Sequence, residues 1–191
     1  MGVLEGKVAI VTGAGGGLGR AHALLLAGHG ACVVVNDLGG ARDGTGSSNS
    51  MADSVVEEIR NAGGQAAATY GSVTEDDAAK AMVQCAVDNF GRLDILINNA
   101  GILRDRSFKN MTDAEWDAVI EVHLRGAYLV TKHSWQQMLT QGDGGRIIMT
   151  SSTSGLIGNF GQANYGAAKA GLAGFMRVLA LEGIKYGITV N

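Results

Sequence analysis

Thr12-Gly13-Ala14-Gly15-Gly16-Gly17-Leu18-Gly19 is the stretch that decides how this chain folds. Before it runs Lys7-Val8-Ala9-Ile10-Val11, a short apolar segment of the kind that forms a buried parallel strand; after it, helical spacing extends from about Leu18 to His29. Strand, glycine turn and helix in that order make a dinucleotide fingerprint. Glycines let the backbone turn tightly and approach a pyrophosphate, and the helix N-terminus supplies unpaired amides and positive potential. A glycine-rich turn alone is a weak signal, and its place between strand and helix is what strengthens it. Gly13, Gly15, Gly17, Leu18 and Gly19 are the candidate cofactor contacts.

Downstream, a second apolar run from Ala31 to Val35 ends in Asn36-Asp37. An acid about 20 residues beyond the glycine turn is where a Rossmann fold binds the adenine ribose hydroxyls. The same carboxylate repels a 2′-phosphate. At an effective dielectric near 20, like charges about 4 Å apart cost roughly 4 kcal/mol, enough to favour NAD over NADP. No basic residue stands beside the glycine turn to offset it.

The alternation then continues without a break. A Gly-rich loop from Leu38 to about Ser50 leads to a helix through Met51, Val55, Val56 and Ile59 that stops at Gly63-Gly64. Gln65 to Tyr70 reads as a third strand. Thr74 with Asp77 resembles a capping box for a helix ending at Gly91, and Asp94 to Asn98 is a fourth strand. Thr112 with Glu115 opens a long helix through Trp116, Val119 and Leu124 toward Met138. Arg146 to Thr150, Ala163 to Tyr186 and a start at Ile188 supply the fifth strand, the last long helix and a sixth strand. The expected fold is α/β: one Rossmann-type domain over residues 1–191, with a doubly wound parallel sheet and helices on both faces.

Composition agrees. With 46% hydrophobic and 17% charged residues, the chain can bury a core and does not read as disordered. A net charge of -3 with no Lys or Arg run argues against nucleic acid or an anionic membrane as partner. Cys32 and Cys85 make no disulfide framework, and no start resembles a signal peptide, which points to a cytoplasmic setting. The 30 glycines, the absence of proline and the strand-like ending Gly187-Ile188-Thr189-Val190-Asn191 suggest truncation at the C-terminus.

Tyr165-Gly166-Ala167-Ala168-Lys169 sets a phenol and an ammonium on one face of a helix. A free phenol titrates near 10, too high for an efficient base at neutral pH, and a neighbouring cation favours the phenolate. That pair can act as general base in oxidation or acid in reduction, with Lys169 as its tuner. Ser152, just past the fifth strand, lies where open α/β sheets bind ligands, and its hydroxyl can hydrogen-bond a substrate oxygen as charge develops.

Thr12 through Gly19, Asn98-Asn99-Ala100-Gly101, Ser152, and Tyr165 with Lys169 together resemble the motif set of the short-chain dehydrogenase/reductase family, over essentially the whole chain. The resemblance implies that Ser152 orients the substrate oxygen, that Tyr165 transfers the proton and that Lys169 also holds the nicotinamide ribose. It further implies that Asn99, Ala100 and Gly101 line the cofactor, which would be NAD. Where most of the family has an Asn completing a water-linked proton path, this chain has His123, which joins the catalytic set.

Val35-Asn36-Asp37-Leu38-Gly39-Gly40, Gly101 through Phe108, Val122 through Gly126, and Gly158 through Tyr165 are similar to a narrower subgroup. This is the (3R)-hydroxyacyl-CoA dehydrogenase domain of the peroxisomal multifunctional β-oxidation enzyme and its bacterial relatives. The subgroup implies that Ser72 and Val73 flank the adenine, and that the setting is peroxisomal in a eukaryote. The expected substrate is an acyl-CoA or steroid-like small molecule, with a hydroxysteroid dehydrogenase or an inactive NAD-binding fragment as alternatives. An NADPH-dependent acyl-carrier-protein reductase is disfavoured by Asp37. The long helices from Thr112 and Ala163 would pair across a homodimer or homotetramer, as they do in the family.

Overall fold

In the computed structural model, which describes residues 2–191, the first strand β1 (Val8–Thr12) is buried on both faces. Its side chains alternate between two cores. Val8 and Ile10 point into one, with residues of α3 (Asp76–Phe90), α5 (Gly126–Gln141) and α7 (Ala163–Gly183). Ala9 and Val11 point into the other, with Ala23 of α1 (Gly17–Gly28) and Val55, Val56 and Ile59 of α2 (Ser50–Asn61). A strand covered on both sides has no polar face to show, which is why its sequence reads as a continuous apolar run.

The remaining strands are β2 (Cys32–Asn36), β3 (Gln65–Thr69), β4 (Ile95–Asn98), β5 (Gly145–Met149) and β6 (Ile188–Val190). All pairings are parallel, in the order β3-β2-β1-β4-β5-β6. The order reverses between β1 and β4, so the connections leaving their carboxyl ends diverge and open a crevice there. The α1–α2 layer does not reach β5 and β6: their residues alternate buried and exposed, and Ile148 is 41% exposed.

One local expectation is corrected. Thr74 and Asp77 form no capping box. The N-cap of α3 is Glu75, without a side-chain cap, and the Thr74 hydroxyl lies 2.9 Å from the Ser72 hydroxyl instead. The long helix from Thr112 forms as expected, its backbone helical without a break to Gln141. Thr112 makes its capping box with Glu115, and α4 (Asp113–Ile120) passes through a π-helical turn, Glu121–Arg125, before α5 begins. Such a turn inserts a residue into the helical phase, and here it holds the buried His123. A short helix, α6 (Thr153–Leu156), also follows β5.

Both cysteines are unpaired and half-buried. Among the described residues, no helix is long and apolar enough to cross a membrane and no cluster of three or more His, Cys, Asp or Glu could hold a metal ion.

Candidate active site

The crevice between β1 and β4 opens into a cleft of about 750 Å³, within the range of small-molecule and cofactor sites. Its floor is the glycine turn. Gly13 (φ +63°) runs so close to β4 that a Cβ there would lie 2.8 Å from the Ala100 Cα. Asn99 closes this contact: its Nδ2 donates to the carbonyls of Thr12 and Gly13, at 3.0 and 3.1 Å, and its amide donates to the Thr12 hydroxyl. Gly13, Gly16, Gly17, Asn99, Ala100 and Gly101 line the cleft.

The other predicted turn residues sit differently. The Gly15 amide donates to Asp37 Oδ2 at 2.7 Å, Gly19 is buried against the Gly13 carbonyl, and the Leu18 side chain is 67% exposed. Asp37 also accepts from the Gly39 amide at 2.7 Å, so each carboxylate oxygen is held by one backbone donor. A carboxylate has about four acceptor positions, which leaves capacity for two ribose hydroxyls. Asp37, Ser72 and Val73 all line the cleft. This floor excludes side chains at Gly13 and leaves open space at Gly17, so it fits a dinucleotide laid against the backbone.

Sequence reasoning missed the positive charge in the cleft. Arg42 and Arg104 both line it, and among the described residues the Arg42 guanidinium makes no hydrogen bond or ion pair. Contrary to the sequence expectation, a basic residue does stand directly after the glycine turn, Arg20, but it is committed to Glu58 at 2.6 Å.

Next to the cleft, the first turns of α7 carry Tyr165 and Lys169. The Lys169 Nζ lies 5.5 Å from the centre of the Tyr165 ring, and His123 packs edge-on against that ring with centroids 5.0 Å apart. Lys169 is 3% exposed and donates to the Thr150 carbonyl at 2.5 Å, and burial pulls its ammonium down to about 8. His123 is 4% exposed; burial first, then the Lys169 charge, hold its imidazolium down to about 4. The ring is therefore neutral at physiological pH.

Its Nε2 lies 3.0 Å from the Ile102 amide nitrogen and 2.8 Å from the Ile102 carbonyl oxygen, accepting from one or donating to the other according to tautomer. His123 Nδ1 has no partner among the described residues. The ring also explains Gly101, where a Cβ would lie 2.3 Å from His123 Cε1. A small cavity of about 10 Å³, lined by Thr12, Asn98, His123 and Lys169 among others, is at the lower limit for one water.

Ser152 caps α6, its Oγ accepting from the Ser154 amide at 3.2 Å, which leaves the hydroxyl hydrogen free to donate. α6 and the first turns of α7 interlock through glycine. A Cβ at Gly155 would lie 2.6 Å from the Ala170 nitrogen, and one at Gly166 would lie 3.0 Å from the Ser154 carbonyl oxygen. That close packing sets α6, with Ser152 as its N-cap after the carboxyl end of β5, against the turns of α7 that carry Tyr165 and Lys169.

Asn164 was missed because nothing around it in sequence predicts its partners. Fully buried, it donates to the carbonyls of Arg104 at 3.1 Å and Glu115 at 2.9 Å, and accepts from the Tyr165 amide at 2.7 Å. Its place beside Tyr165 was the only hint.

A family model described as short chain dehydrogenase matches residues 7–191. The chain belongs to the short-chain dehydrogenase family. Dehydrogenases of this family are oxidoreductases that act on CH–OH groups with nicotinamide cofactors.

As a short-chain dehydrogenase it is 55% identical, over 188 residues, to a short-chain type dehydrogenase/reductase of Mycobacterium tuberculosis; the match covers 98% of this chain and 65% of that protein. It is also 55% identical, over 187 residues, to the peroxisomal multifunctional enzyme type 2 of Mus musculus, covering 98% of this chain and 25% of that protein. A crystal structure of a short chain dehydrogenase from Mycobacterium avium matches with a TM-score of 0.91 at 51% identity, covering 100% of this chain and 67% of the other.

Proposed function

We propose that this chain carries the NAD-binding and catalytic residues of a dehydrogenase that interconverts a (3R)-hydroxyacyl-CoA and its 3-oxoacyl-CoA. The observation that carries the proposal is Tyr165, held between Lys169 and His123 beside a glycine-floored cleft. Its similarity to the mouse multifunctional enzyme supports the acyl-CoA substrate.

NAD would accept the hydride released from the alcohol carbon. Tyr165 takes the hydroxyl proton as that hydride leaves, and Ser152 donates its hydroxyl hydrogen to the substrate oxygen. Lys169 sets a positive charge beside the phenol, where negative charge develops as the proton is handled. The Lys169 Nζ hydrogen bond to Thr150 fixes that charge in place. His123 works as a neutral ring, packed on Tyr165 and docked on Ile102, beside a cavity where one water could link it to Lys169.

Asp37 favours NAD. Its carboxylate is pinned by two amides at the end of β2, whereas of the cleft's two arginines Arg42 has no such anchor and Arg104 is turned to the Asp43 carbonyl, so the fixed negative charge dominates. Gly13, Gly15, Gly17, Leu18 and Gly19 supply the turn, Ser72 and Val73 flank the adenine, and Asn99, Ala100 and Gly101 form the nicotinamide side. Association is through α4, α5 and α7 in a homodimer or homotetramer, supported by the exposed Tyr128 of α5 paired with Phe175 of α7. The peroxisomal names of relatives in Mus musculus and Saccharomyces cerevisiae support a peroxisomal setting in a eukaryote, with the cytoplasm the setting in a bacterium.

The test is NADH formation with matched (3R)- and (3S)-hydroxyacyl-CoA and with a hydroxysteroid. Turnover of the (3R) form alone is expected, with Tyr165→Phe lowering it by about 10²- to 10⁴-fold. Turnover of the steroid alone would overturn the substrate, and an unaffected Tyr165→Phe would overturn the mechanism.

A further inference from the structure

The Gly-rich segment between Asp37 and α2 is not a loose loop. Asp43 Oδ1 accepts from the Thr45 amide at 3.0 Å and its hydroxyl at 2.7 Å. The Ala41 amide donates to the Thr45 carbonyl at 2.7 Å, and the Ser48 amide to the Leu38 carbonyl at 3.0 Å. Gly39, Gly44 and Gly46 take positive φ values that permit this folding. The segment is thus a preformed strap whose base is tied to Asp37 through the Gly39 amide.

The strap supplies one wall of the cofactor cleft, with Leu38, Gly40, Ala41, Arg42 and Gly44; the segment after β4 supplies the facing wall. The two walls are joined across the cleft. Arg104 Nε donates to the Asp43 carbonyl at 2.6 Å, and the Leu103 amide donates to the Arg42 carbonyl at 3.0 Å. Gly44 faces the Ile102 side chain so closely that a Cβ would lie 3.1 Å from it.

We infer that Arg104 is the latch of this strap, a positioning residue that ties the two walls of the cleft together and so controls how fast the nicotinamide cofactor enters and leaves. The inference rests on the proposed cofactor reading. A latch fastened in both the free and the bound protein slows traffic both ways, because the strap must lift before a dinucleotide can pass in either direction. It differs from a direct contact, which would hold the bound cofactor without impeding its arrival.

Arg104 has a second attachment that stiffens the latch. Its backbone carbonyl is held by the buried Asn164 side chain, next to Tyr165. The guanidinium therefore pulls the strap against a wall anchored in the core.

Stopped-flow NADH fluorescence on the whole chain tests this. In Arg104→Met, which keeps the apolar stem and removes the donor, association and dissociation rates are both expected to rise, dissociation about tenfold, with Kd changing less than either rate. Arg104→Lys is expected to rescue only in part, because an ammonium lacks the donor at the Nε position. Gly44→Ala provides a second route that leaves the Arg104 side chain in place: at φ +85° and 3.1 Å from Ile102 it strains the strap at the Asp43–Gly44 peptide that Arg104 holds, and should raise both rates in the same way. Dissociation rising alone would make Arg104 a direct cofactor contact and overturn the latch. Unchanged rates in both Arg104→Met and Gly44→Ala would overturn it too. Wild-type protein that binds neither NADH nor NADPH would overturn the cofactor reading itself, and the latch with it.

Discussion

At the glycine turn, the contacts that shape the cleft are made mainly by backbone atoms, apart from the Asn99 side chain, which reaches the Thr12 and Gly13 carbonyls. Gly15 and Gly39 donate to one carboxylate, and Gly13 lies against Ala100 because neither neighbour carries a side chain in the gap. Around Tyr165 the contacts are made by buried side chains that cross the molecule. Asn164 reaches carbonyls 60 and 49 positions away, and His123 reaches Ile102 across 21. One wall is shaped by atoms left out and the other by polar atoms brought in. They should fail in opposite ways: the first when atoms are added, the second when charge or hydrogen bonds are taken away.

Lys169→Met presses hardest on the second wall. Turnover should fall by about 10²- to 10⁴-fold, the range for losing a group that supports proton transfer. Stability should not fall with it. Burial lowers the Lys169 pKa from 10.5 to about 8, so the charged amine is a burden on the fold at pH 7. That burden is present in full below pH 8 and is relieved as pH rises from 8 to 10.5, as the folded group gives up its proton before the unfolded one does. Replacing it orphans the Thr150 carbonyl but removes a penalty of up to about 3 kcal/mol, so Tm should hold or rise. A Tm that drops in step with turnover would mean that Lys169 is chiefly a structural tie.

His123 makes the same wall acid-sensitive. Its folded pKa is lowered from 6.5 to about 4, so the unfolded chain takes up a proton before the folded one as pH falls. Stability is therefore lost between pH 6.5 and about 4, by as much as about 3 kcal/mol. Urea midpoints at pH 7 and pH 4.5 measure it. The pH dependence should shrink in His123→Asn, and an identical drop in that variant would assign the acid sensitivity to other groups.

How much of each wall could be read in the sequence follows from the same contrast. The strand before the glycine turn, Asp37 at the end of β2, and Tyr165 one helical turn before Lys169 are each fixed within a short stretch, so residue type and spacing suffice. Asn164 could not be recognised as a brace for Tyr165, since its partners lie on α4 and in the Arg104 segment. The strap latch depends on pairing between segments about 60 residues apart. The Thr74 capping box failed because the helix starts one residue later, with Glu75 as its N-cap, and the Thr74 hydroxyl pairs with Ser72 instead. Gly101 reads in sequence as cofactor lining, and only the π-helical turn reveals that it also makes room for His123.

The first wall is tested by adding a single carbon at two glycines of the same turn. Gly13 and Gly17 both have positive φ, at +63° and +52°, so alanine pays a comparable backbone strain at each, on the order of 1–2 kcal/mol. They differ in what the new Cβ meets. At Gly17 nothing lies within 4 Å; at Gly13 the Ala100 Cα is 2.8 Å away and Asn99 Nδ2 is 3.3 Å away. Ala100 is backbone and cannot swing aside, so Gly13→Ala must also push the end of β4 from β1, adding about 1–3 kcal/mol. Chemical denaturation should place Gly13→Ala below Gly17→Ala by that margin. If the two variants are equally destabilised, backbone conformation alone explains these glycines, and the close approach of the two strand ends does not shape the cleft.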